Sequence, residues 1–188
     1  MRTGFFGGTF DPPHLGHLII AESLRSHLDL DRVLWIPAAV SPHKLDADSA
    51  GAFHRSRMVE LAIADNPSFE FCDIELRRAA PSYTVDSLDE LTQRYPSDTF
   101  FLLIGMDSLA GFHTWREPHR IRRLATVVAY PRIRVDPPDE IGDTLIVDLP
   151  IVEISSTQVR SLVGAGGSIR YLVTEPVRQY IEQEGLYK

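Results

Sequence analysis

The sequence is poor in cysteine, in long apolar runs and in excess positive charge. Cys72 is the single cysteine of 188 residues, so an internal disulfide and a cysteine-based zinc cluster are both excluded. A lone cysteine of this kind belongs to the core, where free cysteines are most often found. No apolar run approaches the roughly 18 residues of a membrane span, and the opening stretch MRTGFFGGTF lacks a signal-peptide pattern. The expectation is a soluble, cytoplasmic protein with no membrane partner. Lys and Arg number 19 against 26 Asp and Glu, a net charge of −7, and the pI is near 5.4. That balance argues against broad nucleic-acid binding, which uses a basic face. A small anionic ligand in a locally positive pocket stays open.

The length suits one domain, 1–188, and 44% hydrophobic residues can fill a substantial core. Short apolar runs predict strands at 2–7, 31–38, 69–76, 99–105, 124–131 and within 144–155. Helical spacing of apolar residues predicts helices at 15–28, 54–65, 84–94, 156–164 and 174–185. TFFLLIG (99–105) is apolar without a break from Phe100 to Ile104, as an interior strand of a parallel sheet requires. The alternation predicts an α/β fold, an open parallel sheet with helices on both faces. The stretch 37–53, PAAVSPHKLDADSAGAF, is long for a connection. It reads as a lid or binding loop, or else as a surface insertion. RIRVDPPDEIG (132–142) reads as plain surface.

The stretch GGTFDPPHLGH (7–17) places Gly7 and Gly8 where the first strand ends and His14, Gly16 and His17 where a helix starts. Ligands of open parallel sheets bind beyond the carboxyl ends of the strands. A helix start adds free N–H groups and a positive dipole end, an anion site. Gly16 admits close approach without a Cβ. His14 and His17 are spaced to share one face and to donate to phosphate oxygens. ISSTQVR (154–160) repeats the arrangement: Ser155 or Ser156 caps a helix, and Arg160 falls on the face of Ser156 and Thr157. Neither the dinucleotide G-x-G-x-x-G nor the P-loop spacing occurs.

The first motif resembles the (H/T)-x-G-H signature of the nucleotidylyltransferase superfamily and is very similar to that of bacterial nicotinate-nucleotide adenylyltransferases. Ser155, Ser156, Thr157 and Arg160 match the family's second signature, S-[ST]-T-x-x-R, without departure. The resemblance spans 4–187. It implies a Rossmann-like sheet of the nucleotidylyltransferase type and transfer of the adenylyl group of ATP to nicotinate mononucleotide, giving deamido-NAD and pyrophosphate. ATP would then meet Gly7, Gly8, Thr9, Phe10, His14, Gly16, His17, Ile154 and the second signature. Gly105 and Asp107 resemble the family's ribose-binding G-x-D. Lys44, in SPHK, resembles a loop lysine that reaches the phosphates of both substrates. A solvated loop lysine is its plain alternative. Ser82, Tyr83 and Thr84, in PSYTVDSL, resemble the segment that receives the nicotinate ring. Trp115 resembles its stacking partner, with a core role as the alternative, and Arg116 follows it. His14, His17, Lys44 and Arg160 are the candidate catalytic residues.

The nucleophile implied is a phosphate oxygen, already ionised, so no general base is needed. Catalysis reduces to positioning and charge neutralisation. Mg²⁺ is expected to arrive on ATP, held by phosphates and water, with no protein ligand; Asp11 is the one carboxylate near enough in sequence to consider. The partners are small molecules; a homo-oligomer stays open. Three rivals compete. A class I aminoacyl-tRNA synthetase would need a K-M-S-K-S loop and a tRNA-binding body. Another transferase of the superfamily would take nicotinamide mononucleotide, phosphopantetheine or a cytidylyl donor. A non-catalytic nucleotide sensor would be expected to lack part of the two histidine and Thr157/Arg160 pairs.

Overall fold

The computed structural model describes residues 1–39, 50–78, 81–131, 138 and 141–188. Lys44 and most of the stretch 132–142 lie outside the described residues. Six strands, β1 (Arg2–Gly8), β2 (Arg32–Pro37), β3 (Phe69–Phe71), β4 (Thr99–Gly105), β5 (Ala125–Tyr130) and β6 (Leu145–Ile146), form one sheet in the order β3-β2-β1-β4-β5-β6. Every neighbouring pair is parallel. Between and after them lie α1 (Leu15–His27), α2 (Ala52–Ile63), α3 (Thr84–Arg94), α4 (Met106–Ala110), α5 (Pro118–Leu124), α6 (Ser156–Gly164) and α7 (Glu175–Glu184).

Both faces of the sheet are covered, because successive strand residues point to opposite sides. Phe6, Trp35, Phe101 and Val128 join the core beneath α1, α2, α6 and α7. Their neighbours Phe5, Leu34, Phe100 and Val127 join the core beneath α3 and α5. This strand order reverses between β1 and β4, and ligands of such sheets bind at that reversal, outside the carboxyl ends. Gly8 and Gly105, the last residues of β1 and β4, stand there. Among the described residues, no helix is long and apolar enough to cross a membrane.

Three readings of the sequence need correction. The strand expected over 69–76 stops at Phe71. Beyond its pairing with Trp35 the chain turns, with Leu76 N–H bonded to Asp73 C=O. Its alternation reflects Cys72 and Ile74 buried in the core beneath α3 rather than ladder pairing. The expected strands over 144–155 shrink to Leu145–Ile146, and 151–155 carry no strand. Leu124 ends a helix rather than starting a strand; α4 and α5 are too short to show a period.

Candidate active site

Residues 8–14 turn sharply from β1 into α1. Phe10 adopts a left-handed backbone, φ 51°, which folds its ring back over the strand end. A Cβ on Gly8 would meet that ring at 3.0 Å. The glycine thus makes room for an aromatic ring of the chain itself, a reason the motif alone does not reveal.

His14 is not on the helix face. It is the N-cap of α1, in extended conformation. Its backbone N–H donates to Nδ1 of His17 at 3.2 Å, closing the reach-back half of a capping box. The two imidazoles still come together, stacked with centroids 3.7 Å apart. His17 is also held edge-on by Phe10, at 5.2 Å. A Cβ on Gly16 would lie 3.0 Å from His14 Nδ1, so this glycine leaves space for the imidazole. Gly16→Ala is expected to displace His14. Activity should fall about tenfold while the melting temperature holds, because alanine adds up to about 1 kcal/mol of helix propensity. Turnover and a thermal melt on one preparation check this.

The second motif builds its helix start as its residues require. Ser155 caps α6, its Oγ accepting Gln158 N–H at 3.1 Å. Ser156 does not cap; it donates to Pro12 C=O at 2.9 Å. Arg160 donates to Asp11 C=O at 2.8 Å. These two bonds join the α6 start to the turn before α1. Between them opens a cleft of about 630 Å³, lined by His14, Gly16, His17, Asp107, Ile154 and Ser155, among others. Thr157 is exposed on the first turn of α6. Asp107 lies in the first turn of α4, just past the end of β4, and reaches the same cleft.

The pyridine candidates form a second group. Tyr83 is the N-cap of α3 and Thr84 its first residue; Ser82 is buried. The Arg116 guanidinium lies 4.8 Å over the Tyr83 ring and pairs with Asp86 at 3.3 Å. Trp115 is half-buried against Phe112, centroids 5.2 Å apart. The first turn of α3 is braced from below by Ser87, which donates to the buried Glu75 carboxyl at 2.8 Å and accepts from Arg78. Burial pushes the Glu75 carboxyl above the usual range, against the pull of Ser87 and Arg78.

Asp11, considered above as a metal ligand, is otherwise engaged. It is 4% exposed, and its carboxylate takes the Tyr187 hydroxyl at 2.6 Å and the Ala50 N–H at 3.2 Å. Among the described residues, no three His, Cys, Asp or Glu side chains are grouped to hold a metal. Arg55, equally buried, donates to the carbonyls of Thr9, Ala39 and Ala50. Sequence reasoning missed Arg55, which sits in no motif, and Tyr187, which ends the stretch 171–187 that resembles the family's closing helix and reads as structural.

Sequence and fold both match known proteins. The cytidylyltransferase-like family model matches residues 5–162. A protein of Exiguobacterium sibiricum named "Probable nicotinate-nucleotide adenylyltransferase" is 45% identical over 100% of this chain and 99% of its own. The chain belongs to the nicotinate-nucleotide adenylyltransferase family. A family member from Salinibacter ruber, of the same name, is 41% identical over 100% of this chain and 98% of its own. Among solved structures, the Plasmodium falciparum nicotinic acid mononucleotide adenylyltransferase complexed with NaAD superposes with a TM-score of 0.84. It is 17% identical, over 99% of this chain and 97% of that one. At that identity the likeness speaks for the fold of the family.

Proposed function

We propose that this member of the family transfers the adenylyl group of ATP to nicotinate mononucleotide, releasing pyrophosphate and nicotinate adenine dinucleotide, a step of NAD biosynthesis. The observation that carries the reading is the single cleft between two helix starts, with the stacked His14 and His17 on one side and Ser155 on the other. Arg160 is tied to the turn before α1. Two helix N-termini facing one space suit a polyphosphate.

In this reading Gly7, Gly8, Thr9, Phe10, Gly16 and Ile154 shape the ATP site. Gly105 and Asp107 hold the ribose. Ser155, Ser156, Thr157 and Arg160 take the phosphates. His14, His17, Lys44 and Arg160 neutralise charge as the acceptor phosphate attacks the α-phosphorus. Mg²⁺ would arrive with ATP rather than on ligands of this chain, and would supply screening of the polyphosphate charge. The reacting oxygen is already anionic, so positioning and charge stabilisation supply the catalysis. Residues 1–188 work as one domain, and free nucleotides as substrates suit the cytoplasm.

Selection for the acid rests on α3. The first-turn N–H groups at Thr84 and Val85 have no acceptor within the helix, and the dipole there favours a carboxylate. Ser82, Tyr83, Trp115 and Arg116 frame the ring. Pyrophosphate release from MgATP, measured with nicotinate and nicotinamide mononucleotides side by side, tests this. The expected preference for the acid is at least tenfold in kcat/KM, about 1.4 kcal/mol. Equal rates would remove α3 as the selector. No turnover with either would reopen the acceptor, with phosphopantetheine next.

A further inference from the structure

Arg160 is anchored by a network that the two motifs do not contain. Its Nη1 lies 3.7 Å from Asp11 Oδ2 and donates to the Asp11 carbonyl at 2.8 Å. The other oxygen of that carboxylate, Oδ1, accepts the hydroxyl of Tyr187 at 2.6 Å. Tyr187 follows α7, and its ring packs against the core beneath that helix. Its backbone is left-handed, φ 65°, a conformation strained for a non-glycine residue. Such strain persists where surrounding contacts over-determine it. Here the contact is the hydroxyl of a half-buried tyrosine donating to a buried carboxylate, and desolvation pushes the phenol further toward its protonated, donating form.

We propose that Tyr187 is a positioning residue for the ATP site: its hydroxyl orients the Asp11 carboxylate, and that carboxylate sets the Arg160 guanidinium toward the cleft. The proposal rests on the reading of Arg160 as an ATP-phosphate group. The hydroxyl is the working part. Without it, Oδ1 keeps the Ala50 N–H at 3.2 Å but loses its shorter donor, and the carboxylate is held less firmly. Arg160 then samples more geometries before ATP arrives.

The test is a double-mutant cycle on the full chain with Tyr187→Phe, Arg160→Ala and the double variant, each assayed for KM of ATP, KM of the pyridine nucleotide and kcat. Phenylalanine keeps the ring packing. Tyr187→Phe is expected to lower kcat/KM for ATP about three- to tenfold and to leave the KM of the pyridine nucleotide unchanged. Added to Arg160→Ala it should do nothing further, because the group it positions is gone. A full additive loss, or no loss in the single variant, overturns the proposal. If Arg160→Ala alone is silent, the reading of Arg160 falls first and the proposal with it. Should Tyr187→Phe fold poorly, Asp11→Asn keeps an acceptor for the hydroxyl and removes the charge facing Arg160. It is expected to show the same ATP-specific loss, again absent in the Arg160→Ala background, and an additive loss there counts against the proposal.

Discussion

His17→Ala is expected to lower kcat at least tenfold while the fold survives. Nδ1 of His17 accepts the His14 N–H, which places the proton of the neutral ring on Nε2. That nitrogen is therefore a donor, as a phosphate oxygen requires. The ring is pre-set by stacking on His14 and by the edge contacts to Phe6 and Phe10, so little reorganisation is needed as charge develops. Removing one such preorganised donor typically costs about 3 kcal/mol, roughly hundredfold in rate. The same substitution removes an acceptor at the α1 N-terminus, worth about 1 kcal/mol of stability, a few degrees in Tm for a domain of this size. His17→Asn separates the effects. Its side-chain oxygen caps the helix again, so Tm should recover and kcat should not. An unchanged kcat in His17→Ala would take His17 out of the reaction.

Arg32→Ala should produce the opposite pattern, a large loss of stability with little change in kcat. Arg32 starts β2, at the amino ends of the strands, opposite the cleft. Its guanidinium pairs with Asp98 at 2.9 Å and with Glu70 at 2.9 Å, and covers the Tyr95 ring at 4.3 Å. The Arg32 and Asp98 side chains are only 10% and 6% exposed. Breaking a buried pair from one side leaves an uncompensated charge and costs about 3 kcal/mol or more, a fall of roughly 6–12 °C in Tm. The pH dependence carries the signature. Burial alone would raise the Asp98 carboxyl, but hydrogen bonds from Thr3, Arg32 and the Met1 amino group hold it below the usual range. A depressed native pKa stabilises above the ordinary aspartate range, and that contribution is lost as pH falls through the native value. The penalty of Arg32→Ala should therefore be full at pH 7 and shrink toward pH 3. Thermal melts across that range, with kcat at pH 7 as control, decide it. A pH-independent penalty would assign the loss to the Tyr95 contact instead.

The parts legible in the sequence are those in which the signal is local. TFFLLIG had to be an interior strand because Phe100 to Ile104 are apolar without a break, and β4 is buried from its second residue onward. α3 and α6 run over the expected residues, 84–94 and 156–164, because caps and periodicity act within a turn or two of the chain. The first motif is one strand-to-turn-to-helix passage and the second one loop-to-helix passage, so the residues of each come together whatever the rest does. The resemblance to the adenylyltransferases named the chemistry for the same reason: His14 to His17 and Ser155 to Arg160 are contiguous words.

Only the tertiary structure decided what those words are attached to. The alternation in 69–76 satisfies a strand, yet β2 offers β3 three partners and then ends the pairing. Gly8 and Gly16 face Phe10 and His14 rings, contacts that depend on how the turn folds back. Asp11 meets Ala50, Arg160 and Tyr187, the last 176 residues away. No propensity or spacing reaches that far, because such a contact is set by the path of the chain across the sheet. The sequence alone determined the fold class and the two helix starts that line the cleft. Which buried carboxylate orders them, and which distant hydroxyl holds that carboxylate, followed from packing.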